Sequence, residues 1–112
     1  MDGNNFIRKE EINESAASLQ KIFLKVYGTY EIDKSCLWLT EEVGEFIAAI
    51  RKGKSREEIQ GELGDIAVWV FSLANSLGFN LCEIVSNSID KEVSRQITKY
   101  GTIKNWSVPN AQ

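Results

Sequence analysis

Residues 41–65, EEVGEFIAAIRKGKSREEIQGELGD, carry two close pairs of acidic residues separated by a basic turn that contains glycine. Glu42 and Glu45 form the first pair, and Glu62 and Asp65 form the second. Residues three apart on an α-helix project to nearly the same side, so each pair can converge on one ion. The turn between them, RKGKSREEIQG, reverses the chain. The pattern therefore predicts a helix-turn-helix in which the two pairs face each other.

The rest of the chain also reads as helix, which predicts an all-α fold. The single proline lies in the tail at position 109, and no segment sustains strand-like alternation. Four helices are expected, near residues 6–27, 34–52, 55–77 and 80–100. Apolar residues at spacings of three and four give the first two helices one apolar stripe each. The stripes are Ile12, Ala16, Leu19, Phe23 and Val26, and then Leu39, Val43, Phe46, Ile47 and Ile50.

Capping residues and glycines mark the helix ends. Ser55 and Glu58 form the Ser-x-x-Glu pattern of a capping box at the start of the third helix, and Asn80 and Glu83 begin the fourth in a similar way. Glycine follows the first three helices, at positions 28, 53 and 78, where a C-terminal cap belongs. The helix boundaries thus have local causes in the sequence.

The third helix is apolar around almost its whole circumference over residues 66–74, IAVWVFSLA. Such a helix needs neighbours on several sides, and four helices of this length do not easily surround it. A small chain meets this need by associating with copies of itself. We expect a four-helix bundle whose core is completed in a homodimer or a dimer-of-dimers tetramer. A monomeric bundle with an unusually apolar helix is the alternative.

Composition and charge limit the classes of function. With 112 residues, 43% hydrophobic and 26% charged, the chain has the size of one globular domain over 1–112, with an irregular tail from about residue 101. Its net charge of −3 argues against binding nucleic acid through the phosphate backbone. The longest apolar run is far below the roughly 20 residues that span a membrane. We therefore expect a cytoplasmic protein that binds neither nucleic acid nor membrane.

The chain contains no histidine, which excludes histidine zinc sites and histidine acid–base catalysis. Its two cysteines, Cys36 and Cys82, are far apart in sequence and lie in apolar-periodic segments. We interpret both as reduced packing residues rather than as a disulfide or a zinc site. Any metal would have to be held by carboxylates.

The four paired acids have no Lys or Arg three or four residues away on their own helices. Helical neighbours of like charge repel each other, and a position at the edge of an apolar stripe adds a desolvation cost. A cation must compensate. It is either a basic residue from another helix or a divalent metal, and four hard oxygen ligands suit Mg²⁺ or Mn²⁺.

The motif EEVGE followed by ELGD resembles the EExxE…ExxD signature of the MazG-type all-α nucleoside triphosphate pyrophosphohydrolases. The resemblance extends over about residues 37–95 and includes WLTEEVGEFIAAIRKG and ELGDIAVWVFSLANSLGFNL. It implies a four-helix MazG-like bundle and Mg²⁺-dependent hydrolysis of an NTP or dNTP to the monophosphate and pyrophosphate. Such an activity would remove unwanted nucleotides.

The resemblance also implies roles for single residues. The implied Mg²⁺ ligands are Glu42, Glu45, Glu62 and Asp65. Glu41 is free of this set and could orient or deprotonate the attacking water, or it is a surface residue. Lys91 and Arg95 match a Lys and an Arg that assist with phosphates in the family, and as surface residues they would look the same. Trp38, one turn before the first acid pair, is a candidate to line the nucleotide site or simply packs.

A catalytically inactive helical module that binds or regulates a protein partner is the competing interpretation of the same fold. The four repelling acids favour the enzyme, because an inactive descendant has no reason to keep them. Activity across a nucleotide panel would separate the two.

Overall fold

The computed structural model describes residues 9–105 and residue 107. Over these residues the chain forms four α-helices and no strand, which confirms the all-α prediction. The helices are α1 (Lys9–Tyr27), α2 (Ile32–Arg51), α3 (Arg56–Leu77) and α4 (Leu81–Tyr100). The predicted start of the first helix near residue 6 and the side chains of Ile12 and Ala16 lie outside the described part. The other boundaries agree to within two residues.

The predicted caps begin α3 and α4. The Ser55 hydroxyl accepts a hydrogen bond from the Glu58 backbone N–H at 3.2 Å, which is the serine half of the predicted capping box, and it donates to the Glu58 carboxylate at 3.4 Å. The Asn80 side-chain oxygen accepts from the backbone N–H groups of Cys82 and Glu83 at 3.1 and 3.4 Å. Gly78 ends α3 with φ at +73°, a conformation that suits glycine.

The helices pack as a chain of neighbours rather than as a closed bundle. Helix α2 packs along α3, while α1 contacts both α3 and α4. The edge-to-face contact of Phe23 with Phe71, with ring centroids 4.5 Å apart, joins α1 to α3. The Gln20 side-chain amide donates to the Phe79 carbonyl at 2.7 Å and accepts from the Leu81 backbone N–H at 2.9 Å. Helix α1 therefore stabilises the turn between α3 and α4 through hydrogen bonds.

Two contacts fix the antiparallel register of α2 and α3. The rings of Trp38 and Trp69 lie 5.1 Å apart, and the Tyr30 backbone N–H donates to the Ser76 hydroxyl at 3.0 Å. This register places two fully buried serines opposite each other, Ser35 at 0% exposure and Ser72 at 1%. Small side chains let the two helix backbones approach closely at this end of the hairpin.

The single chain leaves much of its apolar surface exposed. The buried hydrophobic residues of the described part are small or medium-sized: Ala49, Ala74, Cys82 and Val93. Within the expected α2 stripe, Leu39 and Phe46 are half-buried, but Val43, Ile47 and Ile50 are 38%, 48% and 52% exposed. The radius of gyration is 16.8 Å, against about 13 Å for a compact chain of this length. One copy thus lacks a layer of neighbours over these faces.

The two cysteines are both free, but only one of them packs in the interior. Cys82 is buried near the start of α4, whereas Cys36 is exposed. The packing prediction was therefore wrong for Cys36. The buried Ser35 occupies the inward face of α2 at this level, so the next residue turns outward.

No single described helix is long and apolar enough to cross a membrane. By length and composition alone, only α3 and α4 taken together meet that criterion, and they are bent by 110° relative to each other.

Candidate active site

The hairpin of α2 and α3 brings acids from both pairs together. Glu42, Glu62 and Asp65 each place one carboxylate oxygen so that the three oxygens lie within 4.8 Å of one another. The convergence follows from the antiparallel register, since both pairs lie one turn further toward the α2–α3 turn than the two tryptophans. Three hard oxygens at this spacing can surround a single cation.

Glu45, the fourth acid, lies beside this group. Its carboxyl group is close enough to raise the pKa of both Glu42 and Glu62 by charge repulsion and by hydrogen bonding. The structure therefore brings all four candidate ligands to one face of the hairpin. Glu42 and Glu62 are half-buried, whereas Glu45 and Asp65 are exposed at the rim.

Burial and crowding both disfavour the charged forms of the inner acids. Desolvation is the largest cause that raises the pKa of Glu42 above the ordinary value of 4.5, followed by repulsion from Glu45, Asp65 and Glu62. Desolvation also leads for Glu62, whose pKa is raised in the same way. One buried oxygen of each residue, Oε2, has no hydrogen-bond partner. A buried carboxylate oxygen without a donor is costly, and a bound cation would remove that cost.

Among the residues that the structure describes, no basic side chain forms an ion pair with these acids. The ion pairs found within residues 9–105 join Lys34 to Glu31 at 3.8 Å and Arg95 to Glu92 at 2.7 Å, and neither includes the four acids. The predicted alternative of a basic partner from another helix is therefore not realised within the described part of one chain. The carboxylate donors, with no thiolate or imidazole among them, fit Mg²⁺ or Mn²⁺.

The remaining candidates on the hairpin lie next to the acids. Glu41 is exposed on α2, outside the converging group. Trp38 is half-buried and contacts Trp69, and both rings contact Tyr30, with centroids 6.2 and 5.5 Å away respectively. Sequence reasoning did not propose Tyr30 or Trp69 for the site. A signal was present for Trp69, which follows Asp65 by four residues as Trp38 precedes the first pair by four.

The two basic candidates lie on α4, which packs against α1, whereas the acids are brought together between α2 and α3. Lys91 is exposed. The Arg95 guanidinium donates two hydrogen bonds, at 2.7 and 2.8 Å, to the Glu92 carboxylate. Glu92 also accepts a hydrogen bond from Gln96 at 2.8 Å. These contacts hold Arg95 along its own helix rather than at the acids.

An open cavity in the described part of the chain lies away from the acids. It has a volume of about 310 Å³ and is lined by residues of α1 and of the α3–α4 turn, among them Leu24, Asn75 and Phe79. Its amide groups already satisfy one another, since Gln20 donates to Asn75 at 3.0 Å. Among the described residues of its lining, Lys21 is the one ionisable side chain. We therefore place the chemistry at the open carboxylate face of the hairpin and not in this cavity.

A family model, the MazG nucleotide pyrophosphohydrolase domain, matches residues 31–98, which is more than half of the chain. The chain belongs to the MazG family. The match covers α2, α3 and most of α4, and so includes all four acids of this MazG domain. No curated protein and no solved structure matches the chain. The family assignment gives the class of the domain as an all-α nucleotide pyrophosphohydrolase.

Proposed function

We propose that this MazG domain hydrolyses a nucleoside triphosphate, ribose or deoxyribose, to the nucleoside monophosphate and pyrophosphate. Such an activity would clear unwanted nucleotides from the pool. The observation that carries the proposal is the convergence of carboxylate oxygens from Glu42, Glu62 and Asp65, two of which also have buried oxygens without partners. Family membership supports the reaction class.

The four acids are the groups that would hold the metal, Mg²⁺ in the first place and Mn²⁺ as an alternative. When bound, it would offset the negative charge of the triphosphate and make a water molecule acidic enough to attack phosphorus. Without a cation, these carboxylates would repel a polyanion. The proposed set is Glu42, Glu45, Glu62 and Asp65.

Glu41 is the proposed base. Its carboxylate is exposed on α2, next in sequence to a proposed metal ligand, and would accept the proton of the attacking water. Trp38 would line the nucleotide, since it lies one helical turn from Glu42. Neither Glu41 nor Trp38 belongs to the converging group of carboxylates, so both are available for these roles.

We further propose that the active form is a homodimer or a dimer-of-dimers tetramer. The exposed apolar residues Val43, Ile47 and Ile50 on α2 form a stripe that a second copy would cover. On α3, Leu63 and Val70 are similarly exposed, at 53% and 40%. Because α4 packs away from the acids in one chain, we propose that the partner's α4 supplies the phosphate-binding Lys and Arg.

A nucleotide panel tests the proposed reaction. The chain is incubated with canonical and modified NTPs and dNTPs, with and without Mg²⁺, and release of pyrophosphate is compared with release of inorganic phosphate. We expect Mg²⁺-dependent pyrophosphate release by the wild type and by Glu57→Gln, which removes an exposed acid of α3 as a control. The variants Glu42→Gln and Asp65→Asn should be inactive.

Unchanged turnover in Glu42→Gln or Asp65→Asn would refute the proposed ligands. A wild type that turns over no nucleotide, is not stabilised by Mg²⁺ and captures a protein partner would favour the inactive helical module instead.

A further inference from the structure

Three aromatic side chains meet at the open end of the hairpin. Tyr30 comes from the segment before α2, Trp38 from α2 and Trp69 from α3, and we call these three residues the aromatic cluster. The centroids are 5.1 Å apart for the two tryptophans, 5.5 Å for Tyr30 and Trp69, and 6.2 Å for Tyr30 and Trp38. The interplanar angles are 45°, 56° and 85° respectively. No two rings stack in parallel, so the three rings contact one another in tilted and edge-to-face arrangements.

The cluster stays accessible and keeps its polar groups available. Tyr30 is 39% exposed, and both tryptophans are half-buried. The indole N–H groups of Trp38 and Trp69 and the Tyr30 hydroxyl make no hydrogen bond to any described residue, and neither indole nitrogen is fully buried. Tyrosine and tryptophan in interiors normally find a partner for these groups. Here they remain as donors for a ligand.

The position of the cluster relative to the acids points to the ligand. Trp38 precedes Glu42 by four residues and Trp69 follows Asp65 by four, so on both helices the aromatic residue lies about 6 Å along the axis from an acid. Both aromatic residues also lie on the same helix face as their acid. A ring bound at the cluster would therefore be one helical turn from a phosphate held at the acids, a gap that a sugar can fill.

We propose that the aromatic cluster binds the nucleobase of the substrate, a role that rests on the proposed hydrolysis of a nucleotide at the acids. The base would be held by ring contacts and by the free N–H and O–H donors. The nucleotide would then lie along the hairpin, with its base at the open end and its phosphates toward the α2–α3 turn. Tyr30 and Trp69 become binding residues together with Trp38.

The opposite end of the hairpin agrees with this orientation. The α2–α3 turn carries four exposed basic residues, and none forms an ion pair with a residue in the described part of the chain. They are Arg51, Lys52, Lys54 and Arg56. Lys52 follows Glu45 by seven residues, which places it on the same face of α2 as the acids. Positive charge at this end favours the terminal phosphates over the base.

A second aromatic group provides the matched control. Phe23 contacts Tyr27 and Phe71 at 5.8 and 4.5 Å and packs α1 on α3, in the interface with α1 rather than in that with α2. Replacing Phe71 by Leu removes an aromatic ring from α3, as replacing Trp69 by Leu does. Only the second replacement should affect base binding.

Two probes with Mg²⁺ separate the base from the phosphates. One is an NTP analogue with a non-hydrolysable α,β-methylene bridge, and the other is inorganic tripolyphosphate, which has no base. We expect Trp69→Leu to weaken binding of the analogue about tenfold, as for loss of a base-stacking aromatic, with tripolyphosphate binding unchanged. Phe71→Leu should change neither. In the wild type, the analogue should quench tryptophan fluorescence and tripolyphosphate should not.

Each other outcome overturns the proposal. Equal losses for both probes in Trp69→Leu, or no loss for either, would show that the cluster only packs. If Trp69→Leu does not fold, Trp38→Phe and Tyr30→Phe apply the same comparison. A wild type that binds tripolyphosphate as tightly as the analogue would refute base binding and leave the hydrolysis standing. A wild type that binds neither probe would refute the proposed function itself.

Discussion

The α2–α3 hairpin and helix α4 both carry charged residues predicted for the site, but they differ in what a single chain does with them. On the hairpin, a short turn joins the two helices, and acids from both come within 4.8 Å of one another. On α4, Arg95 is bound to Glu92 on its own helix. The comparison teaches that local chain geometry is enough to bring the carboxylates together, whereas the packing of one chain does not hold Arg95 at them.

The largest effect is expected from the hairpin acids. Replacing Glu42 by Gln or Asp65 by Asn removes a converging carboxylate, and we expect kcat/KM for NTP hydrolysis to fall by about 1000-fold, the equivalent of several kcal/mol of lost metal-assisted stabilisation. Steady-state kinetics of pyrophosphate release measure this, with circular dichroism to show that the helices persist. A loss of less than tenfold would show that the hairpin alone does not carry the chemistry.

A smaller effect on activity is expected when Arg95 on α4 is replaced. Arg95→Ala would remove the charge-assisted hydrogen bonds to phosphate that we propose for this residue, and it should lower kcat/KM by about 10- to 100-fold. If the partner's α4 completes the site, mixing Arg95→Ala with Glu42→Gln protein should restore activity, because one site in each mixed dimer keeps both groups. Absence of any rescue after subunit exchange would place the basic half within the same chain.

Association itself is tested at the exposed stripe. Ile47→Asp puts a charge on a surface that we propose is covered in the oligomer, so the mass in solution should fall toward that of one chain and activity should fall with it. Light scattering coupled to size-exclusion chromatography measures the mass. Ser18→Asp, on exposed α1 surface, adds the same single negative charge and is the control. A monomeric wild type would contradict the proposal directly.

Because desolvation and then repulsion from the other acids raise the pKa of Glu42, we expect its replacement by Gln to stabilise the metal-free protein in a pH-dependent way. In the metal-free protein, Glu42 has a raised pKa in the folded state, so its stabilising contribution is present below pH 4.5 and is lost as the pH rises through the folded-state pKa. We therefore expect Glu42→Gln to melt higher than the wild type at neutral pH in a chelator, and the difference to vanish below pH 4.5. Thermal melts across pH measure it.

If the acids bind Mg²⁺ as we propose, Mg²⁺ should reverse this order, because it would stabilise the folded wild type by mass action and would lose a ligand in the variant. A wild type that is as stable as Glu42→Gln in chelator at neutral pH would mean that the carboxylates do not strain the fold.

The smallest effect is expected from the cap of α4. Asn80→Ala removes the acceptor for two backbone N–H groups and should lower the free energy of unfolding by about 1 kcal/mol. Urea denaturation measures this, and Mg²⁺ binding by the hairpin should stay the same. A change in Mg²⁺ affinity would show that α4 and the hairpin are coupled more closely than their packing indicates.

The hairpin could be predicted because its causes are local. The Ser55 capping box begins α3, and the spacing of three residues between acids determines that each pair shares a face. The aromatic cluster could not be predicted in full, because the contact of Tyr30 with Trp69 depends on the register between α2 and a distant segment of α3. An apolar stripe such as Val43 and Ile47 shows which face needs covering, but not which chain covers it.

The buried serines at the open end of the hairpin have a consequence for the distance between the carboxylates. Ser35 and Ser72 lie opposite each other with almost no exposure, one turn beyond the tryptophans and two turns beyond the acids. Because both side chains are small and fully buried, their size affects how closely α2 and α3 can approach at this level. A larger residue at position 72 would push the two helices apart. It would increase the distance between facing residues of α2 and α3 from this level to the turn. If the four acids hold a metal as we propose, the size of the ion that fits between them would then depend on two serines outside the acidic group.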